Sequence, residues 1–234
     1  MKLACSSSAF DALFRSGDLT QLEWIDLCAH QLTADGVVFD TRHFPRIDSD
    51  YLAQLKKMCV DKGLTIAALR DDAFFSGNPG QMERAAQIAL ELGSPLIAAP
   101  LQKETAATWS ATLERLAAAA SLAKRTNITL ALRNAPDTFA SGTHEMKRVS
   151  KEADSAWLRY GPDFSLFDAA GEPQALLPKV VLVWQQVRDA NSYAELLARY
   201  RGFIALDDDE GRADAAQVER AVQTLRGREM VNRA

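Results

Sequence analysis

Apolar and polar positions alternate along this chain in two rhythms. Short apolar runs with strand character fall at Lys2–Ser6, Val37–Asp40, Thr65–Leu69, Pro95–Ala99, Ile128–Asn134, Trp157–Tyr160, Val180–Val187 and Gly202–Leu206. Between them lie stretches with helical spacing. The first helix opens at Asp18, where Thr20 and Glu23 have capping-box spacing, and Leu22, Ile25, Cys28, Ala29 and Leu32 form one stripe. Asp50–Asp61 reads as a helix stopped by Lys62-Gly63. Gln81–Leu92 reads as another, with Pro79 near its start and Gly93 at its close. A long Ala-rich helix is expected over Ala106–Arg125, then one opened by Thr143 as cap, then Asn191–Tyr200 and Asp214–Arg226.

Eight strands alternating with helices predict parallel βα units. A length of 234 residues suits a single (β/α)8 TIM barrel spanning residues 1–234. A doubly wound open sheet competes, but it would carry a Gly-rich phosphate turn early in the chain. Neither GxGxxG nor a P-loop is present.

Composition narrows the function. The formal charge is −4 and no basic block marks a nucleic-acid partner. No apolar run reaches bilayer-spanning length, so no membrane partner is expected. Met1–Cys5 lacks the apolar region of a signal peptide, and a cytoplasmic protein is expected. Cys5, Cys28 and Cys59 are odd in number and not spaced as a metal clip, so buried reduced thiols are expected.

One residue disturbs the apolar pattern. In Ile128–Asn134, Ile128, Leu130 and Leu132 point one way, and Thr129, Ala131 and Arg133 the other. A guanidinium at the end of a buried strand needs a counter-charge or a ligand. Arg133 therefore either grips an anionic group or forms a structural ion pair.

Other candidates cluster just past strand ends, where barrels carry their chemistry. His43 is an acid–base candidate or a solvated loop residue. Arg70, with Asp71 and Asp72, offers polyol contacts or an ion pair. Trp184 shares a strand face with Gln186, to stack on a sugar ring or fill the core. Arg188 is a further anion contact. Ser6, Ser7 and Ser8 could bond substrate hydroxyls. The acidic run Asp207–Glu210 lacks EF-hand spacing, and Asp207 alone is expected to face inward.

The order of five segments adds a family. Asp35-Gly-Val-Val-Phe-Asp40, Lys62-Gly-Leu-Thr-Ile66, Leu130-Ala-Leu-Arg-Asn134, Val187-Arg-Asp189 and Tyr200-Arg-Gly-Phe-Ile204 follow one another as in the xylose isomerase-like TIM barrels, which this chain resembles nearly end to end. That superfamily includes sugar phosphate isomerases and epimerases and family-2 AP endonucleases. The resemblance implies a divalent metal at the C-terminal mouth, held by a Glu ending strand five, an Asp after strand six, a His on strand seven and a Glu ending strand eight. Here those positions hold Arg133 (followed by Asn134), Asp163, Gln186 and Asp207.

The expectation is an isomerase/epimerase-like protein with a degraded metal site. It would bind a small polar, sugar-like ligand, neutral or anionic, at the mouth, without a cofactor. Ligand contacts would come from Arg133, Asn134, Arg188, Gln186, Trp184 and Arg70, and acid–base candidates are Asp163, Asp207 and His43. An active Mn- or Mg-dependent isomerase and a non-catalytic interaction protein are the alternatives. The oligomeric state is left open.

Overall fold

The short strands form where β-branched and aliphatic residues run without helix-length periodicity. In this computed structural model they are β1 (Lys2–Ser6), β2 (Gly36–Asp40), β3 (Thr65–Arg70), β4 (Leu96–Pro100), β5 (Thr129–Arg133), β6 (Leu158–Tyr160), β7 (Leu182–Gln186) and β8 (Phe203–Asp207). Each lies within a few residues of its predicted span. The structure describes residues 1–167, 173–190, 192–193, 197 and 200–231, with the backbone alone for 228–231. The helix expected over Asn191–Tyr200 therefore falls largely outside the described residues.

The chain divides into two units, residues 1–67 with 183–234, and residues 68–182. In the first, β1 lies between β2 and β8. It pairs parallel with both, Cys5 opposite Val37 and Leu3 opposite Ile204. The start of β3 continues beside β2, Thr65 N donating to Asp35 O at 3.1 Å. In the second unit, parallel pairing runs from the end of β3 through β4 and β5 to β6. Leu69 faces Ile97, Pro100 faces Arg133, and Leu130 faces Leu158. Val180 then bridges Tyr160 in parallel.

Helices cover the strands because each has one apolar stripe to bury. In the first unit these are α1 (Asp11–Ser16), α2 (Gln21–His30) and α3 (Ser49–Asp61). In the second they are α4 (Pro79–Leu92), α5 (Trp109–Thr126) and α6 (Thr143–Ala153). α7 (Ala215–Val231) returns to the first unit. The Thr20 capping box forms, Glu23 N donating to Thr20 Oγ1 at 3.3 Å and Thr20 N to Glu23 Oε2 at 2.9 Å. Asn78 caps α4 beside Pro79, and Gly93 ends it at φ +74°. Thr143 does not cap α6. It is the first helical residue, after Gly142, which offers no side chain.

α1 was not anticipated. It follows β1 through a 3-10 turn, Ser7–Phe10, without a side-chain cap to announce it. The three cysteines come from β1, α2 and α3, and all are buried. Burial pushes the Cys28 thiol well above its ordinary value, with Cys5 and Cys59 adding to the effect, and pushes Cys59 up to about 12. Among the described residues no helix is long and apolar enough to cross a membrane.

Candidate functional site

The C-terminal ends of β5 and β6 carry one cluster. Leu130 and Leu132 on one face of β5 and Ala131 on the other are fully buried, which fixes the strand. Arg133 follows them into the interior, its side chain 8% exposed. Its Nη2 donates to Asp163 Oδ2 at 3.1 Å, and the Asp163 side chain is 0% exposed. The other carboxylate oxygen accepts from Ser165 Oγ at 2.6 Å and Ser165 N at 3.1 Å. The two expected residues therefore meet as a buried, charge-assisted pair.

Asn134 explains why they meet. Its amide accepts from Asp163 N at 2.7 Å and donates to Asp163 O at 3.1 Å. After Gly161 N has bonded to Leu132 O at 2.8 Å, this bracket continues the pairing where β6 has ended. Asn134 thus positions Asp163.

In the other unit, the ends of β1, β7 and β8 carry a second cluster. Asp207 is fully buried and its Oδ1 accepts from Ser8 Oγ at 2.6 Å; Ser8 Oγ lies 2.6 Å from Ser6 Oγ. These serines close on protein groups instead of facing solvent. Gln186, also fully buried, holds Asp209 by its backbone N and its carboxylate. Asp209 N donates to its Oε1 at 3.0 Å and its Nε2 donates to Asp209 Oδ1 at 2.8 Å. Arg188, half exposed, holds Asp209 at 3.3 Å and approaches Asp208 at 3.9 Å. Asp208 and Asp209 of the acidic run are thus tied to Arg188, and α7 is capped by Asp214, whose Oδ1 accepts from Gln217 N at 2.7 Å.

Trp184 is buried in the core. Gln185, opposite in direction, donates to Asp189 O at 2.7 Å and steadies the turn after β7. Arg70 forms a two-pronged pair with Asp72 at 2.9 and 2.8 Å. Asp71 accepts from Gln81 Nε2 at 2.7 Å.

His43 is not a solvated loop residue. Its side chain is 2% exposed. Nε2 lies 2.9 Å from Asp11 Oδ1 and Nδ1 lies 2.9 Å from Ser7 Oγ, which also accepts from Asp40 N at 2.9 Å. Phe14 stacks on the ring at 4.4 Å. Ser7 is itself buried, so this Ser–His–Asp arrangement binds the turn after β1, α1 and the turn after β2 together. Sequence spacing had not picked out Ser7 or Asp11 as partners of His43, nor Ser8 as the partner of Asp207. Ser165, by contrast, stands two residues after Asp163, the spacing of a side-chain turn.

Asp11 makes this network pH-dependent. Burial raises its carboxyl, but the His43 hydrogen bond and the Arg42 and Arg15 charges outweigh that and hold it below the ordinary 3.8. A depressed carboxyl contributes stability that is full above the unfolded value and is lost as pH falls through the folded one. Asp11→Asn is therefore expected to flatten the acid limb of the stability curve below about pH 4. Urea midpoints measured from pH 3 to 6 check this, and parallel limbs in both proteins would contradict it.

These features define a class. A profile for the xylose isomerase-like TIM barrel matches residues 28–191, and the chain belongs to that family. No curated protein matches its sequence significantly. Among solved structures it is similar to D-psicose 3-epimerase, with a TM-score of 0.75 at 14% identity over 99% of both chains. It is also similar to the probable 3-DHS dehydratase AsbF of Bacillus anthracis, with a TM-score of 0.77 at 14% identity over 97% of this chain and 99% of that one. The 3-keto-D-glucoside 4-epimerase YcjR of E. coli gives 0.72 at 16% identity, over 97% and 99%. At such identities the likeness establishes the fold, the (β/α)8 class expected from the strand–helix alternation.

Proposed function

We propose that this protein is an isomerase/epimerase-like binder of a small, anionic, sugar-like molecule, in which an ion pair replaces the family's metal chemistry. The observation that carries this reading is the buried Arg133–Asp163 contact. A divalent ion needs oxygen ligands with free lone pairs and no cation beside them. Arg133 brings a positive charge, and both Asp163 oxygens already accept hydrogen bonds. These donors do not fit a metal, and no reaction step is drawn through one.

The anionic character of the ligand rests on a cavity of about 470 Å³ lined by Arg188, Arg212 and Arg220 together with Asp208 and Glu210. It lies beyond β7 and β8, the part of a barrel where phosphate groups commonly sit. Arg188 would orient the anion there, and Asp207, whose Oδ1 accepts from Ser8, would be the proton-transfer carboxylate.

Thermal shift measurements test the reading. A sugar phosphate at a hundred times its Kd should stabilise the protein by about 2.7 kcal/mol, on the order of 5–10 °C. Mn²⁺ and Mg²⁺ should leave the midpoint unchanged. A stoichiometric divalent ion bound by the purified protein overturns the proposal.

A further inference from the structure

A second cavity, of about 390 Å³, lies in the unit of residues 68–182. Its wall includes Lys147, Ser150, Lys151 and Asp154, which follow the i, i+3, i+4, i+7 spacing of one face of α6 and its cap. Lys179, at the end of the 3-10 segment Pro173–Lys179, comes in from the other side. Its Nζ lies 3.5 Å from Ser150 Oγ. Tyr160 also lines the wall, and both it and Ser150 are more than nine-tenths buried.

Three ammonium groups thus share a space with one carboxylate. Among the described residues none of the three lysines has a carboxylate partner within ion-pair distance. Lys147 and Lys151 stand one helical turn apart, a like-charge spacing that disfavours the helix in water. Such a group is stabilised by an anion that touches several ammoniums at once, and a phosphoryl group does so with lysines acting as point charges. The cavity volume falls in the range of small-molecule sites. Asp154 and Lys179 lead into strands, whereas Arg133 and Asp163 follow them, so this is not the proposed sugar site.

We propose that the α6 cavity is a separate binding site for a small phosphate-bearing molecule, held by Lys147, Lys151 and Lys179. Calorimetric titration at low ionic strength with pyrophosphate, inorganic phosphate and a hexose monophosphate tests it, and the strongest of the three tells a free anion from an ester. Saturable binding is expected. It should weaken about fivefold for each lysine changed to glutamine and on the order of a hundredfold in Lys147→Gln/Lys151→Gln/Lys179→Gln. Added salt should weaken it too, and Arg188→Gln should leave it in place. The three lysine heads are exposed, and an unchanged circular dichroism melt confirms that the triple variant folds. Equal binding by the folded triple variant overturns the proposal, as does the absence of saturable binding by all three probes. Tighter binding of single-stranded RNA than of pyrophosphate would overturn it in favour of a nucleic-acid surface.

Discussion

Arg133→Met is expected to destabilise the protein by about 3–5 kcal/mol at pH 7, the usual effect of removing one partner from a buried ion pair. Asp163 would keep its Ser165 and backbone hydrogen bonds but lose the guanidinium from a position with no solvent access. The second half of the experiment separates charge from packing. Arg133→Met combined with Asp163→Leu should recover most of the loss, because it removes the stranded carboxylate as well. Urea unfolding of the two single variants and the double variant supplies the cycle. A loss under about 1 kcal/mol for Arg133→Met would show a solvated pair of the kind found on surfaces, one that a metal ion could displace.

His43→Ala is expected to lower stability by about 3–4 kcal/mol, combining a core cavity with two broken hydrogen bonds. Ser7 and Asp11 would each lose their imidazole partner, and Phe14 its stacked ring. Chemical denaturation checks the magnitude. A variant as stable as the parent would return His43 to the acid–base role suggested by its place after β2. A large loss, with the fold retained, marks it as the pin of the first unit.

The contrast between these residues shows what the chain made readable. β5 could be placed because its alternation is strict and its last inward residue is charged. Arg133 was expected beside the carboxylates of Asp163 and Asp207 because a buried cation requires an anion nearby, and its contact with Asp163 forms. The Thr20–Glu23 box was visible because both partners lie within one turn of helix. His43 gave no such sign, since its partners stand 36 and 32 residues away and only the fold unites them. Thr143 misled because a hydroxyl beside a helix start looks the same whether it precedes the first turn or begins it. The amide brackets of Asn134 and Gln186 were invisible for a further reason. The Asn134 side chain imitates backbone and that of Gln186 joins a backbone N to a carboxylate, and nothing in residue type distinguishes either use from contact with a ligand.

The three buried cysteines have a practical consequence. All of the chain's thiols lie in the unit of residues 1–67 and 183–234, on three different elements. A thiol reagent can reach them only when that unit opens, and the raised Cys28 and Cys59 pKa values slow the reaction of those two further. The labelling rate in native buffer is therefore a clock for the opening of one half of the chain, to which the other half is silent.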